Sequence, residues 1–201
     1  DYCIFSRGTK VRKMHSSRRD AFRPINEKPL AKIWKDSRIE ITNKNYRQRI
    51  DAVVEVDDRF EEKTALITVY PNMGPEIIDY YLDKGYKGIV LAATALGHVP
   101  VSISGKSLIP QLERAKEMKV PVVIASQTLY GRVHPFVYTN LRKLSVGVNA
   151  IFAEDMLPET AYVKLGWVLG HTKNPEEVRK MMLTNFAGEI TDGTETDTFL
   201  I

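Results

Sequence analysis

The sequence predicts an α/β fold: a small parallel β-sheet with helices on both faces, preceded by a segment of short strands and loops. Residues 65–201 alternate short β-branched runs with stretches whose apolar residues recur at helical spacing. The runs are apolar on both faces, which is typical of parallel strands covered on both sides by crossover helices. Residues 1–64 contain only short apolar runs separated by polar turns and prolines. We therefore divide the chain into a strand-and-loop segment, 1–64, and an α/β domain, 65–201.

The α/β domain is predicted to begin with a strand, a helix and a second strand. Residues 65–70 (ALITVY) form an apolar, β-rich run, and residues 88–91 (GIVL) form the next one. Gly85 is suited to ending the helix between them, because glycine adopts the left-handed conformation of a helix C-terminus at little cost. The helix, residues 75–84, carries apolar residues on one face: Ile77, Ile78, Tyr81 and Leu82.

The sheet is predicted to continue with a second helix and two further strands. Residues 120–125 (VPVVIA) form a third apolar run, and residues 148–152 form a weaker fourth. The crossovers between parallel strands are expected to be right-handed. The helix before the third run is marked by apolar residues at helical spacing: Leu108, Ile109, Leu112, Ala115 and Met118.

Two helices and a polar tail complete the predicted domain. Pro158 suits the first turn of one helix, and Gly170 is expected to end it. Asn174 is a good N-cap for the second, because its side-chain oxygen can accept hydrogen bonds from free backbone amides. The tail, residues 191–198, is expected to be loose. The second helix has an apolar stripe that is predicted to join the core: Val178, Met181 and Met182.

The composition excludes several classes of protein. The 201 residues include 12 glycines, 10 prolines and one cysteine, which excludes collagen-like chains and disulfide scaffolds. Cys3 is expected to be a buried, small apolar residue. No apolar window could cross a membrane and no signal peptide is recognisable, so we expect a cytoplasmic protein without membrane contact. The four histidines lack metal-binding spacing, and no metal is expected.

The positive charge of the chain is concentrated near its N-terminus. Residues 1–23 contain seven basic residues against two acidic ones, whereas the rest of the chain is close to neutral. Such a patch can contact phosphates, although a solvated basic face or one packed on an acidic partner explains it equally well. The residues considered for contact with nucleic acid or a partner protein are Arg12, Lys13, Arg18 and Arg19.

Three polar loops follow the first three predicted strands, in residues 70–74, 94–98 and 126–132. Ligands of open parallel sheets bind at the carboxyl ends of the strands, so these loops are the candidate site. No GxSxG, GxGxxG or GxxxxGK[ST] motif occurs, and the threonine-rich segment 192–198 lies in the tail. We therefore assign no catalytic residue. The candidate substrate-binding residues are Asn72, Ser126, Gln127, Tyr130 and Arg132.

Several longer segments together resemble the asparaginase/glutaminase family. They are VRKMHSSRRDAFRPIN (11–26), YPNMGPEIIDYYLDKGYKGIV (70–90), LGHVP (96–100), VPVVIASQTLYGRV (120–133) and residues 154–190. The RKMHSSRRDAFR form is similar to the archaeal, tRNA-dependent amidotransferase branch of that family. The resemblance implies that residues 65–201 are the small C-terminal domain of the family. Residues 1–64 would then be the end of the larger N-terminal domain and a linker.

The resemblance also implies a reaction and a set of partners. In that branch one subunit hydrolyses glutamine and releases ammonia. Its partner, the E subunit of the amidotransferase, activates the glutamate on tRNA(Gln) with ATP and Mg²⁺ and receives the ammonia. No cofactor is expected in the present chain. The family further implies a homodimer in which loops 70–74 and 126–132 lend polar groups to the neighbouring active site.

The threonine nucleophile of the family lies in motifs of the TGGT and HGTDT kind, and neither occurs in these residues. The chain also opens without methionine and in a strand-like pattern, so we expect the C-terminal part of a longer subunit, inactive by itself. Two alternatives stay open: a stand-alone assembly or tRNA-binding domain, and the C-terminal part of a free L-asparaginase. Alanines in residues 92–95, where free asparaginases tend to have glycines, count against the last.

Overall fold

A computed structural model describes residues 2–102 and 105–199. The N-terminal part forms two small antiparallel sheets. One contains β1 (Tyr2–Phe5), β4 (Ala31–Trp34) and β5 (Ile39–Ile41) in the order β1-β4-β5, and the other pairs β2 (Val11–Lys13) with β3 (Phe22–Pro24). The expectation of short strands and loops is therefore confirmed.

Cys3 is exposed, which corrects the expectation that it is buried. The strand that carries it, β1, pairs only with β4 among the described strands, and its residues lie mostly at the surface. β1 is an edge strand of its sheet, and a small side chain on such a strand stays open to water.

The C-terminal part is built on a four-stranded parallel sheet. Its strands are β6 (Thr64–Thr68), β7 (Gly88–Ala93), β8 (Val122–Ser126) and β9 (Ile151–Phe152), in the order β6-β7-β8-β9. All six residues of the inner strand β7 are buried. The α/β fold predicted from the uninterrupted apolar runs is confirmed.

Helices cover both faces of this sheet. On one face α1 (Glu76–Asp83) and α2 (Ile109–Glu117) pack on Ile89 and Leu91 of β7. On the other, α4 (Pro158–His171) and α5 (Pro175–Leu183) pack on Val90 of the same strand. Neighbouring residues of an extended strand face opposite sides, so β7 contributes to both halves of the core. A short helix, α3 (Thr139–Arg142), follows the loop after β8.

Gly170 lies inside α4 and does not end it, which corrects the sequence prediction. The helix continues to His171 and is followed by Thr172 in an extended conformation. A side chain at position 170 would come within 3.0 Å of the backbone of Arg59. The glycine therefore permits close approach of another segment, a requirement that the local sequence does not reveal.

The predicted N-cap of α5 is confirmed. Asn174 Oδ1 accepts hydrogen bonds from the backbone amides of Glu176 (3.0 Å) and Glu177 (3.2 Å). Val178 and Met182 are buried and Met181 packs against the same cluster, as the apolar stripe indicated.

The tail is attached to the domain, which corrects the prediction that residues 191–198 are loose. The Thr191 amide donates to Asp155 Oδ1 at 2.9 Å, and Lys28 Nζ lies 2.7 Å from Asp197 Oδ2. Thr198 is buried. These partners lie far away in sequence, so local polarity suggested more freedom than the fold allows. Among the described residues, no helix is both long and apolar enough to cross a membrane.

Candidate functional site

The loops after all four parallel strands meet at one edge of the sheet, because parallel strands end on the same side. Each loop contains a residue with positive φ: Asn72 (68°), Ala95 (46°), Gly131 (93°) and Glu154 (55°). Left-handed backbone is uncommon for residues other than glycine, and it concentrates where a loop has to turn sharply. The edge is therefore built from tight turns with defined shapes.

Ser126 and Gln127 fasten loop 126–132 to the chain around the ends of β6 and β7. Ser126 Oγ donates to the carbonyl oxygen of Ala95 at 2.7 Å. Gln127 Nε2 donates to the carbonyl oxygens of Val69 (2.6 Å) and Ala92 (2.7 Å). The side-chain nitrogen of Gln127 is thus occupied by the residue that follows β6 and by a residue of β7. In this structure both side chains hold the scaffold of the site together.

Asn72 and Thr128 are exposed on the same edge, in different loops. The Asn72 side-chain oxygen contacts Lys106 Nζ. The Thr128 amide donates to Ser126 Oγ at 3.0 Å, which orders the first turn of loop 126–132. An amide and a hydroxyl group of this kind can donate to and accept from a polar substrate.

Tyr130 and Arg132 lie in the second half of loop 126–132. The Tyr130 ring meets Phe199 edge-on, with ring centroids 5.3 Å apart. Arg132 Nη1 lies 3.2 Å from Glu154 Oε2, and its Nη2 donates to the carbonyl oxygen of Thr191 at 2.8 Å. The guanidinium group therefore joins the loop after β8 to the loop after β9 and to the tail.

Sequence reasoning missed a buried ion pair behind this edge. Lys10 and Asp155 are buried, and Lys10 Nζ lies 2.5 Å from Asp155 Oδ2 and 2.9 Å from the Asp155 carbonyl oxygen. Burial lowers the pKa of Lys10, against the opposing effect of the Asp155 carboxylate. Lys10 lies in the basic N-terminal segment, and a run of basic residues favours the surface. The sequence therefore carries no signal that this lysine is buried.

Asn26 was likewise not singled out, although it contacts the candidate loop directly. Its Nδ2 donates to the carbonyl oxygen of Gly131, and its Oδ1 accepts from the amide of Gly131, both at 2.9 Å. Asn26 is buried and has a φ of 58°. The N-terminal part of the chain therefore reaches the candidate site through this side chain.

The basic N-terminal segment is largely neutralised within the fold. Arg12 Nη2 lies 3.1 Å from Glu159 Oε1, and Arg18 Nη2 lies 2.6 Å from Asp20 Oδ2. The Arg18 guanidinium holds the pKa of Asp20 well below its usual range. Within the described ranges, the side chains of Lys13 and Arg19 are exposed and have no charged or hydrogen-bonding partner. Contact of these four residues with tRNA or a partner stays a prediction.

Arg12 and Lys13 also line a groove of about 800 Å³ between residues 8–13 and α4. Its walls include the aromatic rings of Trp167 and Phe186. The groove contains none of the five candidate substrate-binding residues, so the two predicted sites are separate. In residues 2–102 and 105–199, no cluster of three or more His, Cys, Asp or Glu side chains could hold a metal ion.

Comparison with protein families and curated proteins gives a consistent result. The family described as "Glutaminase/Asparaginase C-terminal domain" matches residues 63–182. The D subunit of glutamyl-tRNA(Gln) amidotransferase from Pyrococcus abyssi is 60% identical over 199 residues, and that from Thermococcus kodakarensis is 57% identical over 199 residues. Each match covers 99% of this chain but 44% of the relative, so the chain spans less than half the length of these relatives.

Solved structures of L-asparaginases share the fold. The thermostable L-asparaginase from Thermococcus kodakarensis has a TM-score of 0.83 and 31% identity, covering 96% of this chain and 57% of that one. L-asparaginase I from Vibrio cholerae has a TM-score of 0.79 and 28% identity, with coverages of 92% and 55%. The similarity extends over both parts of the present chain, including the strands before residue 64.

Proposed function

Since this chain belongs to the glutaminase/asparaginase family, matched by its C-terminal domain, we propose that it is the C-terminal part of the glutamine-hydrolysing D subunit of a tRNA-dependent amidotransferase. The observation that carries the proposal is the 60% identity to such a D subunit over 199 residues. The similar L-asparaginase structures are 31% and 28% identical. Asparaginases share the fold, but the sequence of this chain is much more similar to the sequences of the amidotransferase subunits.

The proposed reaction is the hydrolysis of the side-chain amide of glutamine. A threonine hydroxyl attacks the amide carbon, ammonia leaves, and water then cleaves the resulting ester to give glutamate. The threonine motifs of the family do not occur among these 201 residues, so the proposal assigns the nucleophile to residues outside them. The present chain would contribute polar groups from loops 70–74 and 126–132, with Asn72, Ser126, Gln127, Tyr130 and Arg132 as candidates.

The exposed position of these loops supports a contribution to a shared site. Asn72 and Thr128 are open to solvent along one edge, so a substrate bound there meets this chain from one side only. A homodimer in which a neighbouring copy supplies the other side accounts for this arrangement. The ammonia would pass to the E subunit, which with ATP and Mg²⁺ would convert Glu-tRNA(Gln) to Gln-tRNA(Gln) in the cytoplasm.

The experiment that tests the proposal measures ammonia release from L-glutamine and L-asparagine by the purified chain and by the full-length gene product. We expect none from the chain and clear release from glutamine by the full-length protein. Preference of the full-length protein for free asparagine would favour the asparaginase alternative. Turnover by the chain itself would place the nucleophile within it, and Thr94, Ser126 and Thr128 would then be the first hydroxyls to replace.

The predicted contact with tRNA has a separate test. If Arg18 and Arg19 contact phosphates, replacing both by alanine weakens the affinity of the complex of the D and E subunits for tRNA(Gln) and reduces its salt dependence. Unchanged affinity and salt dependence would reject that contact. Glutamine hydrolysis should be unaffected in either case, because the Arg18 guanidinium bonds to Asp20 within its own segment and Arg19 is exposed.

A further inference from the structure

Loop 126–132 is fixed at both ends, and its two ends are held by different parts of the chain. At its start, Ser126 and Gln127 are tied to the chain around the ends of β6 and β7 through the carbonyl oxygens of Ala95, Val69 and Ala92. At its end, Gly131 is held by Asn26, which comes from the N-terminal segment 105 positions earlier. The exposed part of the loop, around Thr128, lies between these two attachments.

The attachment at Gly131 is specific to an asparagine. The side-chain amide forms two hydrogen bonds with one residue, donating to its carbonyl oxygen and accepting from its amide. An aspartate could accept but not donate, and glycine could do neither. Position 26 also has a φ of 58°, a conformation that asparagine tolerates better than most residues with a side chain. Asparagine therefore satisfies both the hydrogen-bonding requirement and the backbone requirement at position 26.

Asn26 is itself held in place by the buried ion pair. The amide of the adjacent residue, Ile25, donates to the carbonyl oxygen of Lys10 at 2.8 Å. Lys10 binds Asp155, and Asp155 Oδ1 accepts from the Thr191 amide. The carbonyl oxygen of Thr191 then accepts from Arg132, the residue after Gly131. The contacts form a closed ring of hydrogen bonds and one ion pair that returns to loop 126–132.

We propose that Asn26 is a positioning residue for glutamine hydrolysis, because it fixes loop 126–132 in the conformation that presents its polar groups to the substrate. This inference rests on the proposed function. Asn26 is buried and acts through the loop, so it does not contact glutamine. Its loss should therefore weaken substrate binding more than it slows the chemical step.

The test uses the full-length protein with Asn26→Gly, which tolerates the positive φ but removes both hydrogen bonds. Asn149→Gly is the matched control. Asn149 also has a φ of 58° and a side chain that accepts from Arg179 (2.7 Å), but it precedes β9 at the opposite edge of the sheet. We expect KM for glutamine to rise several-fold, about 3- to 10-fold, in Asn26→Gly with kcat within about twofold, and neither to change in Asn149→Gly. Asn26→Asp, which keeps only the acceptor, should also raise KM.

Amide hydrogen exchange supplies a readout that does not depend on activity. In Asn26→Gly the Gly131 amide should exchange at least about tenfold faster, whereas Asn149→Gly should leave it unchanged. Faster exchange with an unaltered KM, an unaltered exchange rate, or an equal rise of KM in both variants would overturn the inference. A wild-type protein that hydrolyses no glutamine would instead reject the proposed function, and the exchange rates would still decide whether Asn26 fixes the loop.

Discussion

Two glycines in α4 let residues 59–61 lie directly on the helix. A side chain at Gly166 would collide with the Phe60 ring, and one at Gly170 would come within 3.0 Å of the Arg59 backbone. The Glu61 amide donates to the Gly166 carbonyl oxygen at 2.9 Å. The local sequence is misleading here, because Gly170 near the predicted helix end suggests a stop, whereas the glycine is required by the close approach of Arg59.

Replacing Gly170 by alanine should therefore destabilise the protein, although alanine is the better helix former. We expect a loss of about 1–3 kcal/mol, because backbone rather than a flexible side chain must move. The matched control is Gly147→Ala, where a Cβ atom meets nothing within 4 Å. That control should be neutral or slightly stabilising in a denaturant titration. Equal stability of the two variants would contradict the close approach of residue 59.

Glu189 is a second residue that can be tested, because it should make the stability of the protein depend on pH. Its buried carboxylate accepts from Lys164 Nζ (2.5 Å) and from the amides of Phe186 (3.1 Å) and Ala187 (2.6 Å). Burial by itself would raise the pKa of Glu189, but these hydrogen bonds outweigh it and lower the pKa below 4.5.

Because the folded-state pKa of Glu189 is depressed, its stabilising contribution is present above about pH 4.5 and is lost as the pH falls through the folded-state pKa. At pH 7, Glu189→Gln should cost about 1.5–3 kcal/mol, and the difference from wild type should shrink in acid. The exposed Glu62→Gln variant serves as control. A stability difference that stays constant from pH 7 to strongly acidic pH would refute the assignment.

At the scale of elements, α5 offers the simplest test of a capping interaction. Asn174 Oδ1 accepts from the amides of Glu176 and Glu177. Asn174→Ala should cost about 0.5–2 kcal/mol, whereas Asn174→Asp keeps the acceptor and should cost much less. Thermal unfolding of the two variants measures the difference. If aspartate proved as damaging as alanine, the cap would not stabilise the helix.

The sheet and its helices could be predicted from local patterns, because a strand buried on both faces needs a continuous apolar run. The runs at 65–70, 88–91 and 120–125 correspond to β6, β7 and β8. The fourth strand shrinks to Ile151–Phe152. The three candidate loops could also be placed, since strand direction alone puts them at one edge. The hydrogen bonds that bind the loops to one another depend on tertiary contacts and had no sequence signature.

At the scale of the whole molecule, the buried Lys10–Asp155 pair joins the N-terminal segment to the sheet domain. Lys10→Met leaves Asp155 buried without its counter-charge and should cost about 3–5 kcal/mol. Lys13→Met is the matched control, because Lys13 is an exposed lysine in the same segment, and its effect should stay within about 0.5 kcal/mol. Denaturant unfolding compares the two. Similar losses of stability in the two variants would show that the buried pair does not join the N-terminal segment to the sheet domain.

The family could be identified from the sequence because its signature segments are spread over most of the chain, and the matched domain supports that identification. The same segments did not reveal Asn26 or Lys10 as structural residues. Lys10 belongs to the stretch 1–23, whose basic charge suggests a surface for phosphates, whereas the fold pairs Lys10, Arg12 and Arg18 with its own carboxylates. Net charge along a segment does not tell which of its side chains turn inward.

The most direct test of the account is ammonia release from L-glutamine, measured side by side for two proteins. One is this chain alone, and the other is the Pyrococcus abyssi D subunit with its matching 199-residue segment replaced by this chain. The account predicts no release by the chain and release by the hybrid at a rate comparable to that of the parent. Release by the chain alone, or a folded hybrid without activity, would contradict it.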